Sequence, residues 1–151
     1  MMNKKEILKA SLSFFYVGYL PGGGTLASIF PVLIYYFLRS EFIVFNVFAL
    51  VFLFISFIAA KPAQEVFKRH DPSSMVLDEI AGMLIGFIFL PFSWSLAIIG
   101  FIIFRLFDIF KIYPLRKLED IPGSAGIVLD DLAAGIFTNI ILQIILRSGL
   151  F

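Results

Sequence analysis

FIVFNVFALVFLFISFIAA, Phe42 to Ala60, contains no charged residue, and its only polar side chains are Asn46 and Ser56. About 20 consecutive apolar residues are what an α-helix needs to cross the ~30 Å hydrocarbon core of a bilayer. In lipid, a helix satisfies its own backbone hydrogen bonds, so such a run needs no polar surroundings. The stretch therefore predicts a transmembrane helix. Further apolar segments run from Leu26 to Leu38, Met75 to Leu90, Trp94 to Phe107 and Ile127 to Leu146. Of these, only the last has the length of a full span. Pro91, Ser93 and Ser95 divide the Met75 and Trp94 segments as a tight hairpin turn, and Pro31 marks the short Leu26 segment as tilted, kinked or re-entrant.

Composition agrees with this reading. Of 151 residues, 60% are hydrophobic, 20 are Phe and only 15% are charged, against about 25% charged in soluble domains. Mean hydropathy is +0.99. The chain reads as an all-α, polytopic integral membrane protein, a single domain over residues 1–151 with about five short transmembrane or re-entrant helices. Ahead of them, Leu8, Leu12, Phe15 and Tyr19 recur at helical spacing, with Lys4, Lys5, Lys9 and Ser11 on other faces. That pattern predicts an amphipathic interfacial helix ending at Gly18. Lys4 and Lys5 before Leu12 to Leu20 also resemble a signal peptide, but Gly18 and Pro21 interrupt its apolar core. The absence of cysteine removes disulfides, thiolate metal sites and a Cys nucleophile. A net charge of +1 without a basic patch gives no reason to expect a nucleic-acid partner.

Charge bias orients the segments. With five spans and a cytosolic N-terminus, ten basic residues lie on the cytosolic side and only Arg39 and Arg147 outside. Four spans with a re-entrant first segment preserve most of this bias. In either case the Gly-rich stretch at 21–25, His70 to Glu79, Arg105 to Arg116 and Asp130/Asp131 share the cytosolic face.

Most carboxylates beyond the N-terminal region fall in short clusters beside the apolar runs: Asp71, Asp78 and Glu79; Asp108; Asp130 and Asp131. Charge at a bilayer edge is costly unless it is used. VLDEIAG (Val76 to Gly82) is echoed by VLDDLAAG (Val128 to Gly135), each an acidic pair followed by small residues. Acids near a helix N-terminus favour the helix dipole, so capping is one reading. Adjacent acids also stand about 100° apart around a helix and cannot both avoid an apolar surround, which favours a metal site. Ala81, Gly82, Ala133, Ala134 and Gly135 would let the two helices approach closely.

Oxygen donors without cysteine, and with His70 as the single histidine, suit a hard cation such as Mg²⁺. Asp78, Glu79, Asp108, Asp130 and Asp131 are the candidate ligands, and Asp71, Asp78, Asp130 and Asp131 the candidate catalytic acids. Such a cation would offset their repulsion of a phosphate. Arg105, Lys111 and Arg116 could hold its remaining oxygens; the competing reading is a local Arg105–Asp108 ion pair with Lys111 and Arg116 snorkelling. PGGGT (Pro21 to Thr25) precedes an apolar helix, so its N–H groups and the Thr25 hydroxyl could cradle a phosphate. No Gly-Lys-Ser/Thr follows, so it is not a Walker A loop. His70, beside Asp71-Pro72, is either structural or a proton shuttle or nucleophile.

GYLPGGGTLAS, HDPSSMVLDEIAGMLI, FRLFDIFKIYPLRKLED and GIVLDDLAAG, in this order, resemble the phosphatidylglycerophosphatase A family of bacterial Mg²⁺-dependent membrane lipid phosphatases. The resemblance covers about residues 17 to 137. It implies hydrolysis of phosphatidylglycerophosphate to phosphatidylglycerol and inorganic phosphate, a step of phospholipid biosynthesis, by a multi-pass protein of the bacterial inner (plasma) membrane whose site faces the cytosol. The partners it implies are the lipid substrate and the bilayer, with an oligomer left open. Asp71, Asp78, Glu79, Arg105, Asp108, Lys111, Pro114, Asp130 and Asp131 occupy the family's polar motif positions. Two loops depart from the pattern: Lys111-Ile112-Tyr113-Pro114 stands for Lys-Pro-Trp-Pro, and Gly123-Ser124-Ala125-Gly126 for a Gly-Gly pair.

Other phosphatase designs lack their residues here: there is no cysteine, no Asp-x-Asp pair and no second histidine. Direct attack of water on phosphorus, with a carboxylate as base, is the expected mechanism; a covalent aspartyl-phosphate is the alternative. A CDP-alcohol phosphatidyltransferase would need an Asp-Gly-x-x-Ala-Arg run, which is absent. A small ion-coupled transporter would place its acids near the bilayer midplane, whereas these sit at segment ends.

Overall fold

A computed structural model describes residues 3–67, 74–111, 113, 115–119, 121 and 124–149; the side chains of Lys4, Lys5, Arg116 and Glu119 lie outside that description. The described residues are helical throughout, without strands: α1 Lys4–Leu12, a 3-10 turn Val17–Tyr19, α2 Gly23–Ala27, α3 Ile29–Phe37, α4 Phe42–Phe67, α5 Leu77–Phe87, α6 Trp94–Phe110, α7 Leu115–Glu119 and α8 Ala125–Arg147. Two of them, α4 with 26 residues and α8 with 23, are long and apolar enough to cross a membrane. At about 1.5 Å per residue α5 is only about 16 Å long, too short for a full span, and α2–α3 breaks at Ser28. The two segments expected to be long enough for a full span are thus the two long helices, and the others are shorter.

α5 is the centre of the fold. All its residues except Glu79 are buried, and α8 makes the most extensive contact with it, followed by α4 and α3. The approach to α8 depends on missing side chains. A Cβ on Gly135 would collide with the Gly82 backbone, and one on Gly82 with the Asp131 carbonyl. The outer surface is a belt of exposed apolar side chains at helical spacing, including Val47, Val51, Phe54 and Ile58 on α4 and Ile136, Ile140 and Ile144 on α8. Lipid is the solvent that such a surface matches.

A helix that stops inside an apolar bundle leaves carbonyls and N–H groups to satisfy. Two asparagines do this at the end of α5. Asn139 Nδ2 donates to the Gly86 and Ile88 carbonyls at 3.1 and 2.8 Å. Asn46 Oδ1 accepts the Phe89 N–H at 2.8 Å. The following turn is the hairpin anticipated at Pro91 to Ser95, and Ser93 Oγ caps α6 by accepting from Leu96 N at 3.1 Å.

The N-terminal helix ends earlier than its periodicity predicts, at Leu12 instead of Gly18. Ser13 Oγ donates to Lys9 O at 2.7 Å and accepts the Tyr16 N–H at 3.1 Å, diverting the backbone from the helical ladder. Phe14, Phe15 and Tyr16 then take left-handed conformations. Leu12 is buried, but Phe15 and Tyr19, expected on the same face, are exposed.

Candidate active site

Four segments meet at one end of α5. Its first turn supplies Asp78 and Glu79; the last turns of α6 supply Arg105, Asp108 and Lys111 as its C-cap; α8 supplies Asp130 and Asp131; α2 and the residue after it supply Gly24 and Ser28. α5, α6 with its C-cap, and α8, together with Met75, form a cavity of about 70 Å³ lined by Met75, Asp78, Glu79, Asp108, Lys111, Ile127, Asp130 and Asp131.

The two acidic pairs are not equivalent. Asp78 and Glu79 lie in the first turn of α5, where the dipole favours them. α8 begins at Ala125, so Asp130 and Asp131 fall in its second turn and cap nothing. Even so, Asp130 is 8% exposed and Asp131 5%. Burying charge without compensation is expensive, so these carboxylates are held where something positive must reach them.

Among the described residues Lys111 reaches Asp130, while Arg105 pairs with the neighbouring Asp108 and Glu79. Arg105 Nη1 lies 2.6 Å from Asp108 Oδ2 and 3.3 Å from Glu79 Oε1, and is 3.4 Å from Ser28 Oγ. Lys111 Nζ reaches Asp130 Oδ2 at 3.0 Å from a backbone with φ of 41°, a left-handed turn that folds the side chain back over the end of α6. Arg105 does not line the cavity itself; it stands behind Glu79 and Asp108, which do. Among the described residues no three carboxylates converge tightly enough to chelate one ion as they stand; Asp130 is paired with Lys111, and Asp108 and Glu79 with Arg105. The donor set nonetheless fits a hard cation. Its oxygens are anionic, they line one small cavity, and a 2+ ion would take over the role Lys111 plays on Asp130.

The Gly-rich stretch reaches this site differently from the predicted cradle. Gly23, Gly24 and Thr25 lie within α2 instead of a loop before it, and Gly24 lies directly against the Glu79 carboxylate, where a Cβ would overlap it. Thr25 does not line the cavity. Asp71 and His70 lie outside the described residues, as does the Arg116 side chain. Ser28, Met75 and Ile127 were not anticipated. For Ser28 the only signal was its place after the Gly-rich stretch; the two apolar residues carried none.

The phosphatidylglycerophosphatase A family model matches residues 10–146. A Bacteroides thetaiotaomicron protein provisionally named a phosphatidylinositol-3-phosphatase is 34% identical over 132 residues, 83% of each chain. The phosphatidylglycerophosphatase A of Escherichia coli is 40% identical over 78 residues, 50% of this chain and 45% of its own. That of Haemophilus influenzae is 33% identical over 102 residues, 66% of this chain and 61% of its own. No solved structure matches. With the family model covering nearly all of the chain and its acidic motifs gathered at one cavity, the chain belongs to the phosphatidylglycerophosphatase A family of phosphatases.

Proposed function

We propose that this protein hydrolyses the terminal phosphomonoester of phosphatidylglycerophosphate, giving phosphatidylglycerol and phosphate for phospholipid biosynthesis, in a Mg²⁺-dependent reaction at the cytosolic face of the membrane. The observation that carries this reading is the cavity lining: five carboxylates with one ammonium group. Such a cavity repels a phosphate dianion unless a multivalent cation accompanies it. Asp78, Glu79, Asp108, Asp130 and Asp131 would hold that ion, and Mg²⁺ when bound supplies positive charge at the phosphate oxygens. A carboxylate of the same set takes a proton from the attacking water as its oxygen bonds to phosphorus. The bond from phosphorus to the glycerol oxygen breaks, and that oxygen leaves with the proton that the carboxylate took from water. Lys111 would hold a phosphate oxygen once Asp130 is otherwise engaged, and Arg105 would do the same once Asp108 turns to the cation.

The test is phosphate release from phosphatidylglycerophosphate in detergent. Activity is expected with Mg²⁺, lost on thorough chelation with EDTA, and restored by added Mg²⁺. Activity unchanged after chelation removes the metal mechanism. In sealed vesicles, added substrate is expected to be hydrolysed only when the cytosolic face is outward. The relative from Bacteroides supports a second reading, in which the headgroup is a phosphoinositide; phosphatidylinositol 3-phosphate in the same assay separates the two.

Arg105→Lys tests the phosphate contact. All of the polar contacts given above for Arg105 are made through Nη1, and Lys reproduces a planar, bidentate phosphate contact poorly. The expected result is a loss of about tenfold in kcat/KM, persisting on the residual activity of an Asp108→Asn background. A second change that is harmless once the first is made would leave Arg105 only an ion-pair role.

A further inference from the structure

We propose that the groove between α3 and α6 holds one acyl chain of the lipid whose phosphorylated headgroup enters the carboxylate cavity, an inference that rests on the lipid-phosphomonoesterase reading above. The groove has a volume of about 220 Å³ and is lined by Ile29 and Val32 from α3 and by Ala97, Ile98 and Phe101 from α6. No lining residue is polar. Ile29 and Ile98 are exposed and form its rims, whereas Ala97 is fully buried and forms its floor.

Its two ends differ chemically. At the site end, Ser28, the residue before Ile29, contacts Arg105, one helical turn beyond Phe101. At the far end, Tyr36, one turn beyond Val32, stacks on Trp94, one turn before Ile98, with ring centroids 5.1 Å apart. The trough therefore starts beside the charged cluster and is closed by aromatic rings. Between Trp94 and Arg105 α6 rises about 16 Å, close to half of the ~30 Å hydrocarbon thickness. One leaflet's acyl chain has that reach. A small floor residue between bulky rims leaves space that hydrocarbon must fill, because an empty apolar trough forfeits its dispersion contacts. An amphiphile with an anionic head and an apolar tail is the occupant that satisfies both ends.

The test compares the wild type with Val32→Phe and Ile98→Trp, which fill the groove from opposite rims. Substrates are dioleoyl and dibutyroyl phosphatidylglycerophosphate in the same detergent. The expected result is a loss of about tenfold in kcat/KM for the dioleoyl form alone. Equal loss on both substrates, or none on either, overturns the proposal. A second measurement does not depend on turnover: phosphatidic acid carrying a diazirine on its acyl chain is photolysed with the wild-type protein. Labelling is expected in peptides containing residues 29–32 and 97–101, competed by unlabelled phosphatidic acid and not by phosphatidylcholine. Labelling that extends equally over the outer face of α4, or that phosphatidylcholine competes equally, shows bulk lipid only. Protection of the groove in crosslinked dimers assigns it to a second copy; either outcome overturns the proposal. If the wild type releases phosphate from neither substrate, the reaction reading fails while the labelling still decides the groove.

Discussion

Asp130→Asn and Asp131→Asn are each expected to lower turnover by more than about a hundredfold while the protein still inserts and folds. Loss of groups that merely orient metal ligands typically costs about 10–100-fold, so loss of a ligand should exceed that. Asparagine keeps the size of aspartate and removes the charge. At Asp131, 5% exposed among other carboxylates, that removal relieves repulsion, so thermal stability should stay level or rise; at Asp130 the relief is offset by loss of the Lys111 ion pair. Capping predicts the reverse pattern, with about 1 kcal/mol of stability lost and activity little changed. The position of both acids in the second turn of α8 already argues against capping there. Asp78→Asn carries the same expectation for activity, although its first-turn position makes a small loss of helix stability acceptable. Near-normal turnover in both Asp78→Asn and Asp130→Asn would end the metal-site proposal.

Gly135→Val is expected to abolish activity by a different route, with stability falling by more than about 3 kcal/mol. Overpacking a core usually costs about 1–3 kcal/mol when side chains can give way. Here the group in the way is the backbone of Gly82, which cannot rotate aside. The helices must separate, and with them the acidic pairs that α5 and α8 carry. Gly86→Ala is the matched control on the same interface, since its Cβ would meet Thr138 Cγ2 at 3.4 Å, close to ordinary contact. Thermal unfolding in detergent and phosphate release should therefore both collapse for Gly135→Val and hardly move for Gly86→Ala. A stable, active Gly135→Val protein would show that the two helices are not bound to this separation.

The small residues that make this crossing were legible in the sequence, because an acidic pair followed by small residues occurs twice and lipid rewards close backbone contact. The convergence of Asp78, Glu79, Asp108, Lys111, Asp130 and Asp131 was legible too, from charge bias and segment ends. What escaped reading depended on distant partners. Asn46 and Asn139 lie within apolar runs, and their roles are set by a helix end 43 to 53 residues away in the chain. The C-terminal end of α5 was hidden for the same reason, because Ile80 to Leu90 carries no polar side chain to mark a stop at Phe87. Ser13 ended α1 through side-chain bonds that periodicity does not register. Thr25 was drawn into the phosphate hypothesis by its glycines, whose effect is to let Gly24 sit against Glu79.

The blunt end of α5 also ties the site to the order in which the chain leaves the ribosome. Asn46 is already made when Phe89 emerges, but Asn139 follows Gly86 by 53 residues. Without α8, the carbonyls of Gly86 and Ile88 lack the asparagine that donates to them. A helix of 11 residues cannot hold itself across a bilayer in the meantime. The helix that completes the end of α5 is also the one that carries Asp130 and Asp131 to Asp78 and Glu79. One helix thus finishes both ends of α5, its carbonyls at one and its acidic cluster at the other.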